Sequence, residues 1–380
     1  MIGVARNYDV AVIGAGIAGA SVAAELAESC SVVLLEQEDQ PGYHTTGRSA
    51  AVYAPIYGPQ PIRALTRASL AFFQASTMGF GKDALLSQID ACFVARPDQS
   101  SSLEAMQNEL VDVKTVQRIS AKELRSRVPL LRDGYASGAI WDSGCSKIDV
   151  AAMHQGYLRH FKNEGGSIVL KARVLGLARS RSRWSINTTL GEVTADIVVN
   201  AAGAWADQVG EMAGAEHIGL VPKRRTALIV DAPMGIDLSA LPFVVDVEEQ
   251  FYLKPDAGKL LISPANEDPE PPSDVRPDEM DIAIRIDRIE RAFNISVRRI
   301  EARWAGLRSF VADKCPVVGL SRKVEGFYWL AGQGGYGIQS APSLAQLAAA
   351  EVLTRPIPAH ILKEGLDPAT IRPQRQGIGK

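Results

Sequence analysis

The chain has 380 residues, of which 46% are hydrophobic and 22% charged, a composition typical of a globular protein with room for two cores. Its 41 lysines and arginines against 43 aspartates and glutamates give a formal net charge of -2, which excludes the basic surface of a nucleic-acid-binding protein. The most apolar stretch, residues 10–35, contains Glu25 and Glu28, so we interpret it as a buried segment and expect no transmembrane span.

Residues 1–8 lack the apolar core of a signal peptide, and the cysteines form no C-x-x-C pair. We therefore expect a cytoplasmic protein with reduced thiols, and leave peripheral contact with the inner membrane open. The five histidines form no H-x-x-x-H cluster, so we expect no metal site.

The N-terminal region predicts a βαβ unit, with a buried strand over residues 9–13, a helix over 17–29 and a second strand over 31–35. Further helices are predicted over 61–76 and 121–127, and Asp149 is a suitable N-cap for a helix that ends at 163. Strands are expected at 167–170, 184–188 and 196–200.

After residue 220 the pattern changes to short strands separated by turn residues, which is typical of an antiparallel meander. These strands are predicted at 226–231, 243–247, 251–254 and 259–263. An exposed loop is expected over 266–278, then a helix over 279–294, a strand over 327–331, a glycine-rich turn over 332–337 and a helix over 339–353.

Gly14, Gly16 and Gly19 form a G-x-G-x-x-G motif between the first predicted strand and its helix. These glycines permit a tight turn, close approach of a pyrophosphate, and close packing of helix and strand. The helix N-terminus offers free N–H groups to phosphates. Glu36, at the end of the second strand, suits a ribose diol and would repel the extra phosphate of NADP, so the sequence predicts a dinucleotide other than NADP.

Two other segments are suited to a flat cofactor. Residues 47–51 are small except for Arg48, which can pair with a phosphate, and residues 200–203 end a strand in Ala-Ala-Gly. Gly334, Gly335 and Gly337 precede the last helix, whose N-terminus would stabilise negative charge on a reduced ring.

The chain resembles the D-amino-acid oxidase superfamily of flavoproteins, and within it the bacterial D-arginine dehydrogenases. The resemblance extends along nearly the whole chain and is carried by VIGAGIAGAS (12–21), PGYHTTGRSAA (41–51), VVNAAGAWAD (198–207), FYLKPDAG (251–258), WAGLRSF (304–310) and GQGGYGIQ (332–339). It implies an α/β fold, with a Rossmann-like FAD-binding domain at 1–50, 146–220 and 311–380. A discontinuous α+β substrate domain with a mixed, largely antiparallel sheet is implied at 51–145 and 221–310.

The resemblance also implies non-covalent FAD and a set of residues around it, with the backbone of Val174 at the adenine. The implied cofactor-binding residues are Gly14, Gly16, Ile17, Ala18, Gly19, Glu36, Gln37, Thr46, Arg48, Ser49, Ala50, Ala51, Val174, Ala202, Gly203, Gly306, Gly334, Gly335, Tyr336, Gly337 and Ile338.

A hydride leaving an α-carbon for flavin N5 requires mainly orientation of the substrate, and arginine is the best side chain for orienting a carboxylate. By resemblance, Arg225, Tyr252 and Arg308 would grip the substrate carboxylate. From the residues alone, an exposed Lys-Arg-Arg face is the favoured interpretation of Arg225. Arg308 lies between apolar residues and is expected to point inward.

By resemblance, Gly335 and Gln339 would lie near the amine and the flavin, and Tyr57 would belong to a lid loop, although a lone loop tyrosine also fits simple packing.

The chain departs from the D-arginine dehydrogenases where a cationic side chain would bind. Val52 stands in place of a lid histidine, Ala54 in place of a lid threonine, and Ala91 in place of the glutamate that takes the guanidinium. Only Asp90 is left to supply a counter-charge. We therefore expect a neutral or apolar D-amino acid, with an imino acid such as proline as a close second.

The sequence thus predicts an FAD-dependent D-amino-acid dehydrogenase or oxidase that performs oxidative deamination. Two alternatives stay open: a sarcosine- or glycine-oxidase-like amine oxidase, and the FAD subunit of a hetero-oligomeric amino-acid or opine dehydrogenase. The electron acceptor is left open between oxygen, a quinone and an electron-transfer protein.

Overall fold

The N-terminal strand is apolar and is followed by glycines and a helix, the local order from which a parallel sheet grows. The computed structural model describes residues 7–75 and 84–379. Its helices are α1 (Ile17–Ala27), α2 (Gln60–Ala68), α3 (Leu70–Gln74), α4 (Ser100–Glu109), α5 (Ala121–Arg127), α6 (Val150–Asn163), α7 (Ala206–Met212), α8 (Glu279–Ala292), α9 (Gly337–Val352) and α10 (Ala359–Lys363). Short 3-10 helices lie at Pro97–Gln99, Gly203–Trp205 and Pro368–Ile371.

The strands before residue 170 are β1 (Asn7–Ile13), β2 (Val32–Leu35), β3 (Val52–Tyr53), β4 (Leu86–Gln88), β5 (Ala91–Ala95), β6 (Val116–Ser120), β7 (Gly138–Asp142), β8 (Ser146–Ile148) and β9 (Ser167–Val169). The later strands are β10 (Val174–Ser180), β11 (Arg183–Thr188), β12 (Gly191–Asn200), β13 (Val221–Val230), β14 (Phe243–Asp246), β15 (Tyr252–Asp256), β16 (Lys259–Ser263), β17 (Asp268–Pro269), β18 (Ile300–Phe310), β19 (Val317–Leu320) and β20 (Phe327–Ala331).

The first sheet has a parallel centre. The strands β9, β2, β1, β12 and β20 pair in that order and in parallel, while β10, β11 and β19 add antiparallel edges. Apolar side chains of α1, α6 and α9 cover one face of this sheet, and Trp184 and Trp329 are buried on the other. This is the Rossmann-like layer that the sequence predicts, with β1 at its middle.

The second sheet runs in the order β18, β13, β16, β15, β14, β5, β7 and β6. Its pairs are antiparallel except for β14 with β5, so it is mixed and largely antiparallel as expected. The hairpin between β15 and β16 turns at Ala257 and Gly258, whose φ angles of 47° and 78° are those of a type I′ turn. A small sheet of β3, β8 and β4 lies beside these two.

The mixed α/β fold class is confirmed. The first sheet takes strands from within 7–35, 167–200 and 317–331, and the second from within 91–142 and 221–310. The division into two domains at the boundaries given above stays a prediction. Across residues 7–75 and 84–379, no helix combines the length and the apolar character that crossing a membrane requires.

Several predicted elements differ from the observed ones. The helix predicted over 61–76 is divided at Ser69, whose hydroxyl donates to the Leu65 carbonyl at 2.8 Å and interrupts the helix; residue 76 lies outside the described residues. The loop expected over 266–278 contains β17, which pairs with β13. The eleven-residue strand β18 was not predicted, and it forms because it pairs along the whole of β13.

Candidate functional site

Three neighbouring cavities share wall residues and form one elongated trough. The first lies at the carboxyl ends of β1 and β2, the second shares Thr45 and Thr46 with it, and the third shares Arg225, Tyr252 and Arg308 with the second. The trough therefore suits a long ligand with a smaller molecule at one end.

The first cavity depends on backbone that approaches other backbone closely. Gly14 has a φ of 99°, and a Cβ there would lie 2.5 Å from the Ala201 carbonyl oxygen. A Cβ on Gly19 would lie 1.8 Å from the Gly14 oxygen, so this glycine allows α1 to pack against β1. Both positions therefore require glycine, for the reasons that the motif predicts.

Glu36 lines the first cavity and is 7% exposed. One carboxylate oxygen accepts a hydrogen bond from the Ala15 N–H at 2.8 Å, and the other accepts from the Glu38 N–H at 3.0 Å. These bonds hold the carboxylate at the end of β2 with lone pairs left to accept from a ribose hydroxyl.

His154 is a residue that sequence reasoning missed at this end. Its Nε2 donates to the Ala15 carbonyl at 2.9 Å, and its ring packs on Gly42. Burial lowers the pKa of His154, which favours the neutral ring. The backbone N–H of Ala15 is thus held by Glu36 and its carbonyl by His154. The nearby N–H of Ile17 donates to Thr46 Oγ1 at 2.9 Å.

Most of the predicted cofactor-binding residues lie on the trough. The first cavity is lined by Gly14, Gly16, Glu36, Gln37, Thr46, Val174, Ala202 and Gly203, and the second by Ile17, Thr46, Arg48, Ser49, Ala50, Gly306, Gly334, Gly335, Gly337 and Ile338. Ala51 lines the third. Gly19 packs on Gly14, Ala18 faces a separate small cavity between α1 and α9, and Tyr336 packs beside Tyr57.

The predicted phosphate contact of Arg48 has a competitor. Arg48 forms a short ion pair with Asp274, and its Nη1 donates to the Ala305 carbonyl at 2.9 Å. Arg48 thus bridges residues 47–51 and the second sheet, and its contact with a phosphate stays a prediction.

The pairing of β13 with β18 brings the two predicted arginines together. Lys223 pairs with Arg308, and Arg225 pairs with Gly306, so both arginine side chains lie on the same face. Gly306 has no side chain, which leaves space beside Arg308. Arg308 also packs tightly on Gly335, where a Cβ would come within 2.7 Å of its Nη1. The exposed-face alternative for Arg225 is wrong, because this residue is 6% exposed.

The two arginines differ in their partners. Arg225 Nη2 donates to Glu267 Oε1 at 3.0 Å, whereas Arg308 has no carboxylate partner within 4 Å among the described residues. Burial and the charge of Arg308 lower the pKa of Arg225. Arg308 therefore offers a partly buried guanidinium ready for an anion. Glu267 is a second residue that sequence reasoning missed.

The rim of the third cavity is closed by a hydrogen bond between Tyr57 and Glu249. The Tyr57 hydroxyl donates to Glu249 Oε2 at 2.9 Å, and its ring contacts Tyr336 edge-on at 5.1 Å. Burial and the Glu249 carboxylate raise the pKa of Tyr57 well above its ordinary value, so it keeps its proton. Glu249, in a turn with a φ of 56°, was also missed from sequence.

The side-chain amide of Gln339 has an oxygen with a hydrogen-bond partner and a nitrogen without one among the described residues. Its Oε1 accepts from the Ala54 N–H at 2.9 Å, which ties residues 54–57 to α9. Its Nε2 is buried and has no acceptor in the described protein. A buried donor without a partner is costly, so a ligand acceptor is expected there.

Part of the wall of the third cavity is apolar, and it includes two positions at which this chain departs from the D-arginine dehydrogenases. Val52 and Ala54 line it together with Phe93, Phe243, Val245 and Phe251. Asp90 does not supply a counter-charge, because its Oδ2 accepts from the Trp141 indole N–H at 2.9 Å and the residue is absent from the cavity wall. Ala91 is fully buried. Glu249 is the carboxylate that reaches this cavity.

Comparison with known proteins gives the family. A protein-family model described as "FAD dependent oxidoreductase" matches residues 9–351. The uncharacterized oxidoreductase YurR of Bacillus subtilis (strain 168) is 24% identical over 358 residues, 89% of this chain and 93% of that protein.

Two solved structures share the fold. Glycine oxidase from Geobacillus kaustophilus superposes with a TM-score of 0.83 at 22% identity, over 98% of this chain and 99% of that one. L-alpha-glycerophosphate oxidase from Mycoplasma pneumoniae, with FAD bound, superposes with a TM-score of 0.84 at 16% identity, over 93% and 96%.

The described residues fit FAD. The cradle around Gly14 and Gly16 leaves backbone accessible to a pyrophosphate, Glu36 is held for a ribose, and Gln339 carries an unsatisfied donor at the other end of the trough.

We expect the purified protein to be yellow and to release its FAD on acid denaturation, because the trough offers backbone and side-chain contacts throughout. Absorbance and fluorescence of the supernatant after precipitation measure this. A flavin that stays with the precipitate, or a colourless protein that FAD does not reconstitute, would contradict non-covalent binding.

Replacing His154 by Phe should keep a ring against Gly42 and remove the donor to Ala15. Leaving that carbonyl unsatisfied should weaken FAD binding by about 10-fold. Fluorescence titration of the apoprotein with FAD measures the dissociation constant. His160→Phe is the matched control, since His160 lies on the same helix and pairs with Glu28 near the surface. Equal losses in both variants would show that His154 has no special role.

Proposed function

The chain belongs to the FAD-dependent oxidoreductase family, and on that premise we propose that it oxidises an amino acid at its α-carbon. The single observation that supports this most is Arg308, a partly buried guanidinium without a carboxylate partner among the described residues, at the junction of the second and third cavities. A substrate carboxylate is the ligand that such a group binds best. The finer proposal is a D-amino acid with a neutral side chain, converted by oxidative deamination.

The protein's own residues would mainly orient the substrate. Arg308 binds the carboxylate, Arg225 and Tyr252 flank it, and the free Nε2 of Gln339 donates to an acceptor on the bound molecules. Bound FAD supplies the two-electron oxidant. Fixing the α-carbon by its carboxylate at one end and by the cavity wall at the other converts the reaction into a unimolecular step.

Residues 54–57 would act as a lid and keep water out of the reaction. Tyr57 bonds Glu249 from the turn between β14 and β15, and Ala54 is held by Gln339 from α9. A closed and partly apolar cavity strengthens the hydrogen bonds to the substrate carboxylate.

The side-chain preference is inferred from the cavity wall. Phe93, Phe243, Val245 and Phe251 offer apolar contact, and burying an apolar side chain gains roughly 1.5–3 kcal/mol. Burying a guanidinium without a partner costs several kcal/mol. Glu249 is already engaged by Tyr57, so a neutral side chain is favoured over arginine.

A glycine- or sarcosine-oxidase-like activity is the second candidate, and the superposition on glycine oxidase favours it. A third is an FAD subunit that requires a partner. Purifying the chain alone and following dye reduction with D- and L-amino acids, glycine and sarcosine separates these, because activity without a partner removes the third candidate. Parallel assays with oxygen, a quinone and the dye identify the electron acceptor.

Arg308→Met should leave FAD bound and lower kcat/KM by on the order of 10²-fold or more, because a buried charge-assisted bond to the carboxylate is lost. Arg308→Lys should recover little, since the fork geometry is gone. Steady-state kinetics at matched FAD content measure both variants. A near-normal kcat/KM in Arg308→Met would show that Arg308 does not bind a substrate carboxylate, and would favour a simple amine as the substrate.

The side-chain proposal predicts that kcat/KM is higher for D-Leu and D-Phe than for D-Arg. Glu249→Gln should change all three by a similar factor, because it loosens the Tyr57 contact without removing a side-chain counter-charge. Asp90→Asn is the control and should leave the ratio unchanged, since Asp90 binds Trp141. If D-Arg is the best substrate and falls selectively in Glu249→Gln, the pocket is cationic-specific and the proposal is wrong.

A further inference from the structure

Glu267 is shared by three cations. Its Oε1 accepts from Arg225 Nη2 at 3.0 Å, its Oε2 accepts from Lys223 Nζ at 3.1 Å, and Lys314 Nζ lies 3.8 Å from the same oxygen. The side chain is 26% exposed, while that of Arg225 is 6% exposed. One carboxylate at the edge of the pocket therefore connects a buried arginine to two lysines near the surface.

Glu267 is ionised in this setting. Burial alone would raise the pKa of Glu267, but the hydrogen bond from Lys223 and the charges of Lys314 and Arg225 lower it below its ordinary value. This negative charge lies against the buried guanidinium and offsets part of the positive charge that Arg225 brings to the pocket. Of the two pocket guanidiniums, Arg308 is then the one that has no carboxylate within 4 Å among the described residues.

Arg225 still has a donor to give. Its Nε is buried and has no acceptor in the described protein, so it can bond the same carboxylate that Arg308 binds. Lys223 and Lys314 are not among the residues that line the second and third cavities, so a second carboxylate on the substrate would meet no further unpaired cation on their walls. Removing an anion from water without such a charge is costly.

We propose that Glu267 is a positioning residue that restricts the pocket to substrates with one carboxylate, by holding Arg225 and offsetting its charge. This inference rests on the proposed function, because it takes the Arg308 region to be the carboxylate site. Loss of the Glu267 charge would free Arg225 for a second carboxylate and open the pocket to dicarboxylic acids.

The neighbouring residue supplies a matched control. Arg224 lies on the opposite face of β13 from Arg225 and Lys223, and its Nη1 donates to Glu270 at 2.6 Å. Glu267→Gln and Glu270→Gln each remove one carboxylate charge from an arginine on the same strand. Arg225 lines the pocket, whereas Arg224 is not among its lining residues.

The experiment titrates the FAD-loaded protein with propionate and with malonate, which differ by a carboxylate in place of a methyl group. Perturbation of the flavin absorbance reports each dissociation constant without turnover. In the unaltered protein propionate should bind more tightly than malonate. Glu267→Gln should shift the ratio toward malonate by on the order of 10-fold, as expected for one gained charge-assisted contact. Glu270→Gln should leave it unchanged.

Glu267→Asp keeps the charge but withdraws it from Arg225. It should shift the ratio of the two dissociation constants toward malonate by a smaller factor than Glu267→Gln does. It also serves as the test if Glu267→Gln does not load FAD. An unchanged ratio in every Glu267 variant that loads FAD, or an equal shift in Glu270→Gln, would overturn the inference and leave the carboxylate site intact. If neither ligand perturbs the unaltered protein, the proposed carboxylate site fails and the inference fails with it.

Discussion

The β13–β18 pair places two guanidinium groups on one face, Arg225 buried and Arg308 partly buried, and the rest of the pocket is arranged around that constraint. Buried charges are tolerated only when partners or ligands compensate for lost hydration. Arg225 has Glu267 as its partner, whereas Arg308 packs on Gly335 with its charge open to the cavity. The asymmetry makes one arginine part of the scaffold and leaves the other to bind an anion.

The cofactor end follows a different principle, because its contacts are made by backbone. Gly14 and Gly19 are fixed by distances that no Cβ would permit, and the intervening Ala15 peptide is held by Glu36 on its N–H and by His154 on its carbonyl. A loop fixed in this way loses little entropy when a dinucleotide binds, so the binding free energy is not spent on ordering it.

Requirements that act locally were predictable from sequence. The G-x-G-x-x-G motif, the acid at the end of β2, the Asp149 cap and the last helix depend on neighbours in the chain. His154, Glu249 and Glu267 were not predicted, because each reaches the site across a tertiary contact that no local pattern encodes. Asp90 was considered as a counter-charge since it adjoins Ala91, yet the orientation of its side chain depends on Trp141 from a neighbouring strand.

Residues 54–57 contact both halves of the site. Ala54 is bonded by Gln339 at the start of α9, which packs on the first sheet, while Tyr57 is bonded by Glu249 from the turn between β14 and β15. The same short segment is therefore held to each half by a single hydrogen bond, and each such bond contributes only about 1 kcal/mol. Because Val52 and Ala54 line the third cavity while Tyr57 bonds Glu249, a polar contact at the rim coexists with apolar side chains on the wall.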